Sequence, residues 1–148
     1  MNMHSNDYLK NQIATASREQ LLIMFYDGAI RFTVQAQHAI KNDDIEGRNY
    51  AIQKASAIIA ELSATLDHKI GGQIAADLDA LYAYMLNELN MANIENKASR
   101  LETVEKMLTE LRQTWAEAIK IFKEEKQGLA GSAKPQGTRP YHPLSVAM

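Results

Sequence analysis

The position of proline places the strongest limit on how this chain can fold. All three prolines lie near the C-terminus, at Pro135, Pro140 and Pro143. Proline removes a helical hydrogen bond and clashes with the preceding turn, so its absence upstream leaves long helices unobstructed. The β-branched residues are scattered, without the apolar–polar alternation that is typical of strands. The sequence therefore predicts an all-α fold.

Apolar residues recur at intervals of three and four in four segments. Three segments begin with capping-box spacing, at Ser17, Asp43 and Ser99, each followed three residues later by Gln or Glu. The third segment follows Gly71 and Gly72, which can adopt the left-handed conformation that ends a helix. The apolar stripes comprise, in chain order, Leu22, Phe25, Ala29, Phe32, Ala36 and Ala39; Ile45, Ile52, Ala55, Ile59, Leu62 and Leu66; Ile74, Leu78, Leu81, Met85, Leu89 and Ala92; and Leu101, Val104, Leu108, Leu111, Trp115, Ala118 and Phe122.

Short connections between these segments predict an antiparallel up-and-down four-helix bundle over residues 17–127. Residues 1–16 are mostly polar with a few apolar anchors, and we interpret them as an N-terminal arm. Residues 128–148 are rich in Gly, Pro, Ser and Ala and have no period, which predicts a flexible tail. At 148 residues the chain is expected to form one domain.

Composition excludes several classes of function. The formal net charge is −2, which gives no basic field for nucleic acid or an anionic membrane. The chain has no cysteine, so disulfides, thiol catalysis and thiolate metal sites are excluded. The N-terminus lacks the apolar core of a signal peptide, and the longest apolar run, Leu21 to Tyr26, is too short to span a bilayer. We expect a cytoplasmic protein.

No constellation of residues supports catalysis. A di-iron site in a helical bundle needs Glu-x-x-His pairs, and no Glu in this sequence has His three positions later. The four histidines, at positions 4, 38, 68 and 142, are dispersed. No phosphate-binding glycine loop and no H-E-x-x-H occur. We therefore predict that the protein is not an enzyme, has no metal or cofactor, and takes no small-molecule substrate.

The first predicted helix has a second apolar face. Ile23, Tyr26, Ile30 and Val34 fall nearly opposite the predicted core stripe, at spacings of three and four. Such a face must be covered, either by the N-terminal arm with Tyr8 and Ile13 as plugs or by a partner segment. The two readings are compatible, since an arm can protect a groove until a partner displaces it. Gly28 lies within this helix, and we expect it to admit a neighbouring backbone.

The chain resembles the FliS family of flagellar export chaperones for flagellin. The resemblance covers about residues 8–122 and has one departure, Arg18, where the family often has proline at the first helical position. It rests on Tyr8-x4-Ile13-x-Thr15-Ala16-Ser17, Glu19-Gln20-Leu21-Leu22, Tyr26-Asp27-Gly28-Ala29, Gly71-Gly72-x-Ile74-Ala75, Leu81-Tyr82-x-Tyr84-Met85 and Leu111-Arg112-x3-Trp115.

The resemblance implies a specific function. It implies a helical bundle that binds the disordered C-terminal segment of flagellin, prevents premature polymerisation and delivers the client to the flagellar type III export gate. It also implies that the N-terminal arm shifts to make room. The residues we expect to bind the partner are Tyr8, Ile13, Ile23, Tyr26, Ile30 and Val34, because an apolar groove on helices suits an amphipathic segment.

Two other classes of function remain open from the sequence. A helical adaptor or homodimer could use the same apolar face as its seam. An enzyme or metal carrier built on a bundle is disfavoured by the missing Glu-x-x-His pairs.

Overall fold

The computed structural model describes residues 3–130, which form five helices and, within that range, no strand. The helices are α1 (Met3–Thr15), α2 (Arg18–Lys41), α3 (Ile45–Ala64), α4 (His68–Glu95) and α5 (Ala98–Ala130). The prediction of an all-α fold is confirmed. The predicted number of four helices is wrong by one, because α1 adds a helix before the others.

The N-terminal residues, which the sequence analysis interpreted as an arm and did not count among the helices, form helix α1. The segment contains neither glycine nor proline, so nothing in it interrupts a helix. It was missed because its few apolar residues do not form a stripe. Near its end, the Thr15 hydroxyl donates a hydrogen bond to the Asn11 carbonyl oxygen at 2.9 Å.

Helices α2 to α5 enclose the core. Helix α2 packs against α3 and α5, and α4 packs against the same two helices, whereas α1 makes no comparably extensive contact with any of them. Most predicted stripe residues are buried in this core, and Trp115 is among them, as predicted. The core cluster comprises Leu22, Tyr26, Ala29, Ala36, Ala51, Ile52, Ala55, Ile59, Leu62, Leu66, Ala75, Leu78, Tyr82, Met85, Leu89, Ala92, Leu101, Val104, Leu108 and Trp115.

Three stripe residues are exposed where the sequence predicted burial: Ile45, Ile74 and Leu81. Ile45 is the first residue of α3, so it lies beyond the end of the core. In α4 the buried positions are instead spaced around Ala75 and Tyr82, which turns Ile74 and Leu81 outward. Phe25, Phe32 and Leu111 are only partly buried, packed against the core, and Ala118 and Phe122 are also partly buried.

The predicted cap of α2 is confirmed, and two others are displaced. Ser17 and Gln20 form a reciprocal capping box, with hydrogen bonds of 3.0 and 3.2 Å. Helix α3 is capped by Asp44, whose carboxylate accepts from the Gly47 amide, while the predicted cap Asp43 takes a left-handed φ of 53°. Helix α5 begins at Ala98, one residue before the predicted cap Ser99.

Helix α4 begins before the glycine pair, where the sequence predicted a start after it. The Asp67 carboxylate accepts hydrogen bonds from the Lys69 and Ile70 amides and so caps an earlier first turn. Gly72 then interrupts the helix with φ 48° and ψ −121°. The positive φ expected of this pair occurs at Gly72, but it produces a kink and not a helix end.

The C-terminal boundary of the helical region lies later than predicted. Helix α5 continues to Ala130, so residues 128–130 are helical and do not belong to a tail. The rest of the predicted tail, residues 131–148, lies outside the described residues.

The close neighbour of Gly28 is a side chain and not the backbone that we predicted. A Cβ atom at this buried position would lie 3.1 Å from Cδ1 of Ile58 in α3. The absence of a side chain on Gly28 therefore makes room for Ile58, where α2 and α3 make the most extensive contact in the structure.

Candidate functional site

Tyr26 lies in the core and not on an outer face of α2, which corrects its predicted placement. Its side chain is 0% exposed. Its hydroxyl accepts a hydrogen bond from Trp115 Nε1 at 3.1 Å and lies 2.6 Å from the hydroxyl of Tyr82. Buried positions in α2 recur as Leu22, Tyr26, Ala29, Thr33 and Ala36, and this register turns Tyr26 inward. A partner cannot reach this side chain while the core is intact.

The two buried tyrosines are held in their neutral form. Burial raises the pKa of Tyr26 above its ordinary value of 10.0, although its hydrogen bonds with Tyr82 and Trp115 act in the opposite direction. Burial also raises the pKa of Tyr82, and its proximity to Tyr26 raises it further. Neither group therefore acts as an acid or a base near neutral pH.

The α2 flank is the surface formed by Ile23, Ile30 and Val34, which are partly buried. Asp27 lies on the same side of the helix, four residues after Ile23, and forms an ion pair with Arg112 of α5. One turn beyond Val34, Gln37 donates a hydrogen bond to Glu105 of α5 at 2.9 Å. Helix α5 thus covers part of the face that the sequence analysis assigned to an arm or a partner.

A cavity of about 510 Å³ opens at one end of the α2 flank. Residues from the end of α1, the start of α2 and the C-terminal half of α5 line it: Gln12, Thr15, Ala16, Glu19, Gln20, Ile23, Met24, Ala116, Ile119 and Lys123. Its lining combines apolar side chains of α2 and α5, among them Ile23, Met24 and Ile119, with the charged side chains of Glu19 and Lys123. Its volume is within the range of ligand-binding clefts in proteins.

The structure does not bring the two predicted plugs onto this site. The Tyr8 side chain is 69% exposed and that of Ile13 is 51% exposed. Neither lines the cavity, although the end of the same helix contributes Gln12 and Thr15 to its wall. The prediction that Tyr8 and Ile13 cover the empty groove is therefore wrong for this structure, and both present apolar surface outward.

Two further apolar surfaces escaped the sequence analysis. Phe32 of α2 meets the exposed Tyr50 of α3 edge to face, with ring centroids 6.2 Å apart. Along α4, Ile70, Ile74, Leu81 and Tyr84 are all exposed. The sequence analysis assigned Ile74 and Leu81 to the core, and it did not test whether apolar residues in neighbouring positions form a second row on that helix.

Comparison with known proteins decides the family. The family model described as "Flagellar protein FliS" matches residues 1–121 of the chain. The chain belongs to the FliS family. The Flagellar secretion chaperone FliS of Bacillus subtilis is 37% identical over 126 residues, covering 85% of this chain and 93% of the relative. The FliS of Campylobacter jejuni is 38% identical over 116 residues, covering 78% of this chain and 91% of the relative.

A third FliS relative, the flagellar secretion chaperone of Salmonella typhimurium, is 36% identical over 108 residues, covering 72% of this chain and 80% of the relative. FliS is a family of chaperones and not of enzymes. Within residues 3–130, none of the helices combines the length and the hydrophobicity that a membrane span requires. The same residues contain no cluster of His, Asp and Glu side chains that could hold a metal ion.

Proposed function

We propose that this FliS protein is a cytoplasmic export chaperone for flagellin. It binds the C-terminal segment of flagellin, which is disordered in the monomer, prevents premature polymerisation and delivers the client to the flagellar type III export gate. In this proposal α2 to α5 act as an antiparallel four-helix bundle that presents the binding surface, and α1 is the movable N-terminal element.

The observation that carries the proposal is the cavity at the start of α2. It lies beside the α2 flank, and its lining combines apolar side chains with the charged groups of Glu19 and Lys123 and contains no catalytic constellation. An amphipathic segment binds such a groove through apolar residues spaced three and four apart. A disordered client loses conformational entropy on binding and needs a large contact surface, which the flank next to the cavity extends.

The placement of α1 supports a role as a movable element. It makes no extensive contact with the other helices, yet its C-terminal end contributes to the cavity wall. Moving α1 therefore opens the cavity at a small cost in buried surface. Tyr8 and Ile13, exposed in the free protein, are then available to contact the client or the export gate.

The test is the affinity of the full chain for a purified peptide that spans the C-terminal segment of flagellin, measured by calorimetry. Ile23→Asp places a charge in the cavity wall and Ile30→Asp places one on the α2 flank. We expect each variant to bind at least about tenfold more weakly, since a buried unpaired charge is costly. Because Ile30 packs against the core, melting curves must show that each variant is folded.

Ile45→Asp is the matched control, because Ile45 is exposed at the start of α3, outside both the cavity and the flank. It should bind as the wild type does. If the folded Ile23→Asp and Ile30→Asp variants bind the peptide with wild-type affinity, the cavity and the α2 flank are not the binding site. If the wild-type protein does not bind the peptide and is a dimer by size-exclusion chromatography, the result would instead favour a homo-oligomeric adaptor.

A further inference from the structure

The chain leaves helix α5 close to the cavity at the start of α2. Ala116, Ile119 and Lys123 of α5 line that cavity, and α5 ends at Ala130. Position 130 is seven residues after Lys123, so it lies on the same side of the helix. By the rise of an α-helix, the end of α5 is about 10 Å from Lys123 and about 21 Å from Ala116 along the helix axis. Residues 131–148 therefore begin within reach of the cavity.

The sequence after α5 has two parts of different character. Residues 131–140 contain no large aliphatic and no aromatic residue, and we call them the linker. Residues 141–148, with the sequence YHPLSVAM, are mostly apolar, and we call them the 141–148 segment. The ten residues of the linker can extend to about 33 Å, which is more than the distance from the end of α5 to any part of the cavity. The linker is thus long enough to bring the 141–148 segment into the cavity.

The 141–148 segment has the side chains of an extended apolar ligand. Pro140 and Pro143 disfavour a helix across its first residues. In an extended chain alternate residues share one side, which groups Leu144, Val146 and Met148 together. The cavity, at about 510 Å³, is large enough for a small group of such side chains, and its lining includes apolar residues of α2 and α5. The segment and the cavity are therefore matched in size and in polarity.

Charge favours the same occupant. Residues 131–148 contain two basic residues, Lys134 and Arg139, and no Asp or Glu. Glu19 lines the cavity and forms no ion pair with another described residue. Arg139 lies two residues before Tyr141, so a segment that enters the cavity carries a cation toward this carboxylate. The pair would add a modest attraction to the apolar contacts, because both groups lie near solvent.

The covalent tether favours this chain's own segment over that of a second copy. A short linker that can span the two sites holds its ligand at an effective concentration of about 1 mM. A separate copy of the chain at micromolar concentration cannot compete with that. Even a contact of weak intrinsic affinity is therefore populated when it forms within one molecule.

We propose that the 141–148 segment occupies the cavity in the free protein, with Leu144, Val146 and Met148 against its apolar lining and Arg139 near Glu19. The contact is autoinhibitory, because a client must displace the segment before it enters the cavity. This second part rests on the proposed function, which assigns the cavity to the client. The apparent affinity for the client falls in proportion to the fraction of molecules whose cavity is open.

The occupant is tested by NMR on the full chain. The chain has no cysteine, so Ser145→Cys creates a single attachment site for a nitroxide spin label, which broadens only the signals of nearby nuclei. Ser145 alternates with the apolar residues on either side of it, so the label leaves their side of the segment unchanged. We expect the amide signals of Gln20 and Ala116, which line the cavity, to lose intensity. Those of Glu46 and Glu102, near the starts of α3 and α5 at the opposite end of the bundle, should keep theirs.

Two variants of the labelled chain separate a specific contact from a general effect of the label. Leu144→Asp/Val146→Asp should restore the cavity signals, since burying unpaired carboxylates among apolar side chains is costly. Ala133→Asp/Gly137→Asp adds the same charge to the linker and is the matched control, in which the signals should remain weakened. If the label weakens the cavity signals no more than those at the opposite end, the segment does not occupy the cavity and the proposal is overturned. If the loss appears when a labelled chain is mixed with an isotope-enriched chain that carries no label, the occupant comes from a second copy and the proposal is also overturned.

Calorimetry with the C-terminal segment of flagellin as the probe tests the autoinhibition. We expect Leu144→Asp/Val146→Asp to bind the probe about threefold or more tightly than the wild type, and the linker control to bind as the wild type does. Equal affinities of all three proteins would overturn the autoinhibition and leave the proposed function standing. If none of them binds the probe, the proposed function fails and the autoinhibition with it, whereas the NMR result still decides whether the 141–148 segment occupies the cavity.

Discussion

The hydroxyl group of Tyr26 is the polar centre of the core. It accepts a hydrogen bond from the Trp115 indole N–H of α5 and shares a second hydrogen bond with the hydroxyl of Tyr82 in α4. Buried polar groups are stable inside a protein only when they are hydrogen-bonded, so these three side chains fix one another's positions. The cluster thereby sets the register of three helices at one level of the core.

This arrangement predicts an order of stability for two conservative variants. Tyr26→Phe leaves both the Trp115 N–H and the Tyr82 hydroxyl without a partner, whereas Tyr82→Phe leaves the bond between Trp115 and Tyr26 intact. We expect Tyr26→Phe to lower the free energy of unfolding by about 1–3 kcal/mol and Tyr82→Phe by less. Urea denaturation of the two variants measures the difference. Equal losses would show that the hydrogen bond between Trp115 and Tyr26 adds no stability beyond the one between the two tyrosines.

At the scale of single elements, helix ends follow local chemistry more closely than they follow apolar periodicity. The Ser17–Gln20 capping box starts α2 where the sequence places it. At α4 the Asp67 carboxylate starts the helix before the glycine pair, and Gly72 then kinks it. The helix continues beyond the kink, where Ala75 and Leu78 are buried in the core.

Gly72 should be intolerant of a side chain although space around it is open. No heavy atom lies within 4 Å of a Cβ built there, so a cost can come only from the backbone at φ 48°. We expect Gly72→Ala to destabilise the protein by about 1–3 kcal/mol. Gly128→Ala is the control, because that glycine is helical and also has open space around a Cβ. A neutral Gly72→Ala in thermal melts would mean that the kink relaxes without loss.

For the whole molecule, the buried tyrosines couple stability to alkaline pH. Their folded-state pKa values are raised above 10.0, while in the unfolded chain they ionise normally. Their contribution to stability is therefore complete below about pH 10 and is lost as the pH rises from there toward the folded-state pKa values. The folded protein should become less stable above that point because only the unfolded state releases these protons.

The slope of this loss is measurable. Each tyrosine should remove up to about 1.4 kcal/mol of unfolding free energy per pH unit above pH 10. Urea melts over that range, compared with those of Tyr26→Phe/Tyr82→Phe, isolate the two groups from the remaining tyrosines. If the double variant and the wild type lose stability with equal slopes, the hydroxyls ionise in the folded state or the cluster is hydrated.

The sequence by itself determined the features that depend on nearby residues or on motifs. These are the all-α class, the capping box at the start of α2, the burial of Trp115 and the membership of the FliS family. The fold class and the burial of Trp115 follow from the apolar periodicity. The capping box follows from hydrogen bonds between side chains and backbone groups three residues apart, and the family follows from motifs that occur in order along the chain. None of them requires knowing which helix packs against which.

Only the tertiary structure decided the direction in which ambiguous helix faces point. Helices α2 and α4 are apolar around more than one side, so several registers bury a comparable apolar surface. Contacts with neighbours selected one of them. The hydrogen bonds of Tyr26 with α4 and α5 hold its side chain inside the core, and Asp27 on the α2 flank pairs with Arg112 of α5. The same selection left Ile74 and Leu81 outside, because the interior side of α4 was filled by Ala75, Leu78 and Tyr82.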